Sequence, residues 1–513
     1  MSGGIHFNTG GARKTESASP LRSASSQSGL RVAWQFIRRH WLKLLAISAL
    51  LLTPCFWHPR IEAGDLGSHV YNAWLAQLIH QGKAPGLWIA SQWNNVFFDF
   101  LLSGLGSLFG LPLAEKLAVS AAVLIFFWGA FALACAAVGR VPWFLLPCLA
   151  MTAYGWTYHA GFFNYYIALG LSFLALAVFW RGKRWERLLA VALAPLILLA
   201  HPLGVVWLLG AAAYIWIAES LPRRFHILLL LTSGAFLFLA RLYLGRHYQT
   251  GDYVSPPGML TGADQFILFG KRYFFVALTI SVFAAAVFVM DVIRRRHEPG
   301  YWARLSIPLQ LYAVAELGVI LLPGSIYFPR YGSQIGLLLD RLSLVSAVLA
   351  CCVLAGMRPR KWHLAGFAAI AAAFFSFVDR DEGRLNRMEE RAGQLISTLP
   401  QGARVMETIL APGDWRVTFI NHIVDRACIG RCFAYGNYEP ASRQFRVRAK
   451  PGNGIVFASV PDVEAAEEGH YTVRPEDLPV YQVYQCSSTF TDLCVRKLGG
   501  GEKNDRLGVH PNH

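Results

Sequence analysis

An acidic residue lies between two glycines, just ahead of a run with the spacing of an amphipathic helix. This residue is Asp65, in the stretch Glu62-Ala-Gly-Asp65-Leu-Gly, and it follows an apolar run that ends at residue 57. The residues after it place an apolar face on one side of a helix, which is typical of helices at a membrane surface: Tyr71, Trp74, Leu75 and Leu78. There, Asp65 would lie at headgroup depth and could act as a general base. The alternative is that Asp65 caps the helix.

Other ionisable residues near predicted helix ends could bind or orient an anionic substrate. His69 would orient Asp65 or the substrate, the alternative being a plain polar contact, and Asp99 would be a second acidic residue of the same catalytic site. Arginine and lysine hold phosphate through charge-assisted hydrogen bonds. The candidate substrate and phosphate ligands are Arg341, Arg330, Lys271, Arg272, His159 and His201. The alternative for the cations is a side chain that only reaches from the apolar layer to water, and His201 precedes a proline that could simply end a helix.

The elements that must position these residues are membrane helices. Of the 513 residues, 55% are hydrophobic and 15% are charged, whereas soluble domains carry about 25% charged residues. Residues 379–513 hold 35 of the charged residues, and residues 1–378 hold only 43. This distribution excludes a wholly soluble, disordered or fibrous protein. The net charge of +16 comes from Lys and Arg clusters between apolar runs, as in cytoplasmic loops, so nucleic acid is not an expected partner.

Eleven apolar runs are long enough to cross a hydrocarbon layer of about 30 Å. They lie at 41–57, 117–138, 141–156, 162–180, 186–201, 203–219, 226–243, 273–292, 305–323, 340–357 and 362–378. The run at 96–113 is ambiguous, because it contains Asp99 and is interrupted by glycines and a proline. If it does not cross, the basic clusters fall on the cytoplasmic side. We therefore predict eleven spans, with the amino end inside and the carboxyl end outside.

The predicted fold class is an all-α polytopic membrane protein with a small extracytoplasmic α+β domain at its carboxyl end. Residues 1–40 form a disordered, basic cytoplasmic arm. The run at 41–57 is expected to stay as the first span, a cleaved signal peptide being the alternative. Residues 41–378 form the transmembrane domain, and its first outer loop is 58–116. The expected location is the plasma or inner membrane.

The tail, residues 379–513, has the composition of a water-soluble domain. A charged amphipathic helix at 380–397 is followed by short β-like runs. Four cysteines on the oxidising side of a membrane predict two disulfides, with all three pairings open: Cys428, Cys432, Cys486 and Cys494. Their spacing does not match a zinc finger. The charged and aromatic stretches that begin at Asp425 and Tyr438 would contact carbohydrate if exposed, and would form a disulfide-stabilised core if buried.

The chain resembles the GT-C superfamily of integral-membrane glycosyltransferases, of the polyprenyl-phosphate-sugar-dependent type. The resemblance begins with the first span, the acid that soon follows it, and the aromatic helix that ends before Pro85-Gly-Leu-Trp. The resemblance continues through His159-Ala-Gly-Phe-Phe-Asn164, the His201-Pro202 turn and Arg341-Leu-Ser-Leu. It implies a polyprenyl-phosphate-linked sugar as donor, a glycan, lipid or protein as acceptor on the outer face, and Asp65 as base.

The resemblance leaves the cofactor and two other functions open. The paired acidic motif that several members carry in the second outer turn is absent, so no cofactor is certain and a divalent metal stays open. A transporter or flippase of a lipid-linked substrate is the main alternative from another class. A polymerase or ligase of surface polysaccharide is the nearest enzymatic alternative.

Overall fold

A computed structural model of the chain describes residues 29–251, 257–329, 333–418, 420, 422–442, 444–487 and 489–499. Helices dominate these residues. In chain order the α-helices are α1 (Gly29–Leu51), α2 (Leu66–His80), α3 (Phe97–Phe109), α4 (Leu111–Val138), α5 (Leu146–Ala153), α6 (Trp156–His159), α7 (Phe163–Arg181), α8 (Arg184–Ala192), α9 (Ala194–Ala200), α10 (Pro202–Ser220), α11 (His226–His247), α12 (Lys271–Arg295), α13 (Tyr301–Leu321), α14 (Leu338–Ala355), α15 (Lys361–Ser397), α16 (Ile423–Ala427) and α17 (Val460–Glu467).

Short strands connect the loops and build the core of the tail. They are β1 (Leu87–Ile89), β2 (Gln249–Gly251), β3 (Ser325–Phe328), β4 (Ser333–Ile335), β5 (Arg404–Thr408), β6 (Phe433–Ala434), β7 (Val447–Ala449), β8 (Val480–Gln485) and β9 (Leu493–Leu498). The tail sheet has the order β6-β5-β8-β9, with β5 parallel to both neighbours and β8 antiparallel to β9. Strand β1 of the first loop pairs antiparallel with β7 of the tail, so the loop and the tail share a sheet.

Eight helices of the described residues are long and apolar enough to cross a membrane, judged by length and composition. They are α4, α7 and the six helices from α10 to α15. The stretch that contains α11 is the clearest case, since none of its 18 most apolar consecutive residues is buried inside the protein. An apolar helix that presents its surface outward is suited to contact lipid. The fold is therefore compatible with a multi-pass membrane protein.

Three of the eleven predicted spans are not among these eight helices. Helix α1 covers only the first part of 41–57: it begins at Gly29, inside the arm predicted to be disordered, carries several basic residues and ends at Leu51. The run 141–156 contains the eight-residue helix α5 and ends at the first residue of α6, and 186–201 is divided at Leu193 between α8 and α9. Pro195 lies in the first turn of α9, where its missing N–H removes no helical hydrogen bond. The count of eleven stays a prediction.

The ambiguous run 96–113 forms a short helix and the start of the next one. Helix α3 has 13 residues, which gives a length of about 20 Å, too short for a hydrocarbon layer of about 30 Å. It ends at Gly110, whose φ of 79° turns the chain into α4. Helix α15, in contrast, joins the predicted last span and the predicted amphipathic helix 380–397 into one helix of 37 residues.

The tail packs directly on the bundle and is closed by two disulfides. Val405 of β5 and Val424 of α16 belong to the same hydrophobic core as the helices of the bundle, whereas a smaller core lies within the tail. The bonds join Cys428 to Cys432 and Cys486 to Cys494. The prediction of two disulfides is thus confirmed, and both close short loops.

Candidate functional site

Asp65 is held by the backbone of α6 on one side and by the tail on the other. Its N–H donates to the carbonyl of Ala160 at 3.1 Å, and the N–H of Gly64 donates to the carbonyl of His159 at 2.7 Å. Asp65 precedes α2, but its side chain makes no capping hydrogen bond. Instead its carboxylate faces the tail, where His422 Nε2 lies 3.7 Å from Asp65 Oδ1. The capping alternative is therefore not what this geometry shows.

Two glycines allow the chain to approach Asp65 this closely. Gly161 has a φ of +85°, and a Cβ at this position would lie 2.5 Å from the backbone nitrogen of Asp65. Gly67, in the first turn of α2, would place a Cβ only 2.1 Å from the carbonyl oxygen of His422. Because both neighbours are backbone atoms, neither can move aside without shifting the loop.

Gly161→Ala is expected to displace Asp65 and to lower both stability and activity. The methyl group would clash with the Asp65 backbone, and alanine is strained at positive φ. A cost of about 1–3 kcal/mol in the free energy of unfolding is expected from the strained conformation alone. Thermal unfolding of the purified variant measures this effect. Gly210→Ala is the control, because its Cβ meets nothing within 4 Å. Equal stability of the two variants would contradict the close approach.

Beside Asp65, His69 joins two carboxylates from different parts of the chain. Its Nδ1 lies 3.1 Å from Asp99 Oδ1 and 3.2 Å from Glu439 Oε1. Asn164 fixes Asp99, because its Nδ2 donates to Asp99 Oδ2 at 3.2 Å. Ser68 donates to Glu439 Oε1 at 3.2 Å. The structure therefore brings the three predicted catalytic residues into one neighbourhood and adds a glutamate from the tail.

An open cavity of about 1010 Å³ lies in front of this cluster. Its wall combines the first loop, the beginnings of α7 and α10, the sheet of β3 and β4, the beginning of α14, and the tail. The lining residues that carry charge or can hydrogen-bond through a side chain include Asp65, His69, Gln92, Asn94, Asn95, Asn164, Tyr165, His201, Gln334, Arg341, Gln444 and Arg448. The aromatic residues Trp93, Phe162, Phe163, Phe328 and Phe445 complete the wall. Such a volume accommodates a sugar with its phosphate.

Arginines from two separate segments face the cavity. Arg341 begins α14 and lies over the rings of Phe162 and Tyr165, at 4.9 and 5.7 Å from their centroids. Its neighbour Asp340 pairs instead with Arg416, at 2.6 Å. Arg448 of β7 donates to the side chain of Gln92 at 3.2 Å. These guanidinium groups place positive charge beside the wall that contains Asp65.

His201 both caps a helix and lines the cavity. Its Nδ1 accepts a hydrogen bond from the N–H of Leu203 at 3.2 Å, so it caps α10. The same ring lines the cavity and meets Tyr165 edge to face, with ring centroids 5.4 Å apart. Since Nδ1 is the acceptor, the proton of a neutral ring is on Nε2.

The remaining predicted ligands are placed elsewhere or lie outside the described residues. His159 is fully buried, and its Nε2 lies 3.3 Å from Glu382 of α15; its carbonyl, not its ring, supports the Asp65 loop. Arg272 pairs with Asp381, and neither it nor Lys271 lines the cavity. Arg330 lies outside the described residues. The structure thus favours Arg341 and His201 among these candidates.

A second group of ionisable residues lies behind Asp65, within the tail. His422 Nε2 is 3.7 Å from Asp65 Oδ1, and His422 Nδ1 is 3.0 Å from Asp425 Oδ2. Glu407 of β5 completes this group. Among the described residues, two sets therefore have the ligand types and spacing for a metal ion: His69 with Asp99 and Glu439, and Glu407 with His422 and Asp425.

Burial and the neighbouring histidines shift the pKa of Asp65 in opposite directions. Burial raises the pKa of the Asp65 carboxyl, and the nearby His422 and His69 only partly oppose that rise. Burial lowers the pKa of His69, but Glu439 and Asp99 more than compensate and raise it. For His422, too, Asp425 and Asp65 outweigh burial and raise the pKa to about 9. A carboxylate with a raised pKa is a stronger proton acceptor.

Sequence reasoning found the first-loop part of the site and missed most of the tail part. Tyr438, Glu439 and Arg448 belong to a stretch whose mixture of aromatic and charged residues had been noted, and this stretch is partly buried and partly exposed to the cavity. Glu439 is buried against His69, while Phe445 and Arg448 line the cavity. Nothing local singled out His422.

Comparisons of the chain with protein-family models, with curated proteins and with solved structures find no match.

Proposed function

We propose that this protein is a membrane glycosyltransferase that moves a sugar from a polyprenyl-phosphate carrier to an acceptor. The observation that carries the proposal is the cavity that combines the Asp65 carboxylate with Arg341 and Arg448. The resemblance of the first span and loop to GT-C enzymes supports it from the sequence. In the proposed orientation the cavity opens on the extracytoplasmic side, and the tail lies there as well.

The chemistry needs few groups, and the cavity holds them. In the transfer, the bond between the sugar C1 and the phosphate oxygen breaks and a bond from C1 to the acceptor hydroxyl forms. The leaving phosphate is already a weak base, so it needs no general acid. Asp65 takes the proton of the acceptor hydroxyl as that bond forms. His422, whose Nε2 lies 3.7 Å from Asp65 Oδ1, would help to orient the carboxylate.

The arginines stabilise the charge that develops on the leaving phosphate. A guanidinium group can donate two parallel hydrogen bonds to phosphate oxygens. Arg341 lies in the first turn of α14, a helix long and apolar enough to cross a membrane. In the proposed orientation its side chain is at the depth of the headgroups, where a lipid-linked phosphate would lie. Arg448 approaches from the tail and would contact the acceptor or the sugar. The aromatic wall, with Trp93 78% exposed, offers faces for a sugar ring.

Replacing Arg341 with methionine is expected to lower kcat/KM for the donor by about 10–100-fold, since hydrogen bonds to charged groups contribute roughly 1.5–3 kcal/mol each. Purified full-length protein in lipid nanodiscs would be incubated with labelled polyprenyl-phosphate sugars, and the release of polyprenyl phosphate measured. Arg358→Met is the control, because Arg358 is 62% exposed and pairs with Glu298 away from the cavity.

The same assay separates the transferase from its alternatives. A flippase would move the intact donor between leaflets of a vesicle and release no polyprenyl phosphate. A polymerase or ligase would lengthen or attach a glycan that is already lipid-linked. A kcat/KM of the Arg341→Met variant within about threefold of the parent would contradict the phosphate role.

A further inference from the structure

Three side chains of types that can bind a metal ion meet inside the tail, behind the cavity wall. Glu407 comes from β5, and His422 and Asp425 flank the start of the short helix α16. One ligand atom from each lies within 4.8 Å of the others. All three residues are buried, with exposed fractions of 4%, 3% and 0%. This group is separate from the His69 cluster, whose carboxylates are those of Asp99 and Glu439.

Two carboxylate oxygens of this group have no hydrogen-bond partner among the described residues. They are Glu407 Oε2 and Asp425 Oδ1, and both are shielded from solvent. The other oxygen of Asp425 is fully used, because it contacts His422 Nδ1 and accepts a hydrogen bond from Asn437 at 2.9 Å. A buried carboxylate oxygen without a partner lowers the stability of the fold by roughly several kcal/mol, unless a positive charge or a proton compensates it.

The donor set matches a transition-metal cation. One imidazole nitrogen and two carboxylate oxygens are common protein ligands of Zn²⁺, whereas Mg²⁺ and Ca²⁺ prefer oxygen alone. We propose that the tail binds one divalent transition-metal ion, best matched by Zn²⁺, through Glu407, His422 and Asp425. The ion would supply the positive charge that the two orphaned oxygens require.

The position of His422 connects this site to Asp65. Its Nδ1 faces Asp425, and its Nε2 faces Asp65 at 3.7 Å. A histidine that binds a metal through one nitrogen commonly donates its other N–H to a carboxylate, which fixes the orientation of the ring. With the ion on Nδ1, Nε2–H points to Asp65. His422 is then a positioning residue, and the metal site does not depend on which substrate fills the cavity.

The test uses full-length protein, stripped with a chelator and titrated with Zn²⁺ alone. We expect one Zn²⁺ per chain by elemental analysis, a rise in the unfolding temperature, and the visible absorption of a nitrogen- and oxygen-ligated ion when Co²⁺ replaces Zn²⁺. Glu407→Gln and Asp425→Asn should each weaken Zn²⁺ binding by more than about tenfold. Asp99→Asn, in the other His-carboxylate group, should leave the affinity unchanged.

Two results would overturn the site. One is stripped wild-type protein that binds no Zn²⁺ and shows no change in unfolding temperature, which decides the question even if a variant does not fold. The other is Zn²⁺ that is retained in both tail variants or lost in Asp99→Asn, since the ion would then lie at His69. Neither result bears on sugar transfer, which is measured separately.

Discussion

Replacing Asp65 with asparagine is expected to slow sugar transfer by about 10²–10⁴-fold, because an amide cannot accept the proton of the acceptor hydroxyl. This loss corresponds to roughly 3–5 kcal/mol of transition-state stabilisation, at about 1.4 kcal/mol per tenfold change. Asparagine has nearly the size of aspartate and can still accept hydrogen bonds through its side-chain oxygen. The fold should therefore survive, and a KM close to that of the parent would locate the loss in the chemical step.

The capping alternative predicts a different result for this variant. Asparagine caps a helix as well as aspartate does, so a purely structural Asp65 would leave activity intact. Glu476→Gln, at an exposed position in the tail, controls for the loss of one acidic charge. The assay is the release of polyprenyl phosphate, with thermal unfolding measured in parallel. Activity of Asp65→Asn within about threefold of the parent would refute the general-base role.

Arg426→Met is expected to destabilise the joint between tail and bundle by about 3–5 kcal/mol, the usual cost of removing one partner from a buried ion pair. Arg426 is 8% exposed and binds Glu389 through two parallel hydrogen bonds, at 2.9 and 2.7 Å. Its third contact is Glu115 of α4 at 2.7 Å, and Glu62 lies 3.5 Å away. Methionine fills similar space but removes the guanidinium group from Glu62 and Glu115, while Glu389 keeps its contact with Arg60 at 3.1 Å.

The change should appear as a lower unfolding temperature and as faster proteolysis of the tail in the folded protein. Arg474→Met is the matched control, because the Arg474–Asp462 pair is largely exposed, with 50% of the arginine side chain accessible. Exposed pairs contribute about 0–1 kcal/mol. If the two variants unfolded at the same temperature, the buried network would not fasten the tail to the bundle.

Hydropathy and helical period were sufficient to predict most of the bundle, because a lipid-facing helix must be apolar along its length. The pattern was less informative where helices end inside an apolar run. Pro195 divides the run 186–201, yet proline also occurs inside helix α13, at Pro308, without ending it. Which of these two outcomes occurs depends on packing partners, and these are not visible in the sequence.

The site shows the same division between local and distant information. Asp65 could be found because its neighbours in sequence, two glycines and an aromatic helix, are unusual together. His422 and Glu407 could not, since a single histidine or glutamate in a tail has no local signature. They acquire their role only when β5 and α16 pack behind the first loop, through contacts such as that of Gly67 with the His422 carbonyl.

The pairing of the first loop with the tail also determines when the cavity of a newly made chain is complete. Ser68 and Glu439, which hydrogen-bond to each other, are 371 residues apart. At roughly 5–20 residues per second, a ribosome takes about 20–75 s to travel that distance. During this interval the Asp65 loop is already made, but the tail groups that hold its carboxylate are not. The wall of the cavity is thus incomplete until synthesis is nearly over, and it stays incomplete in a chain that stops early.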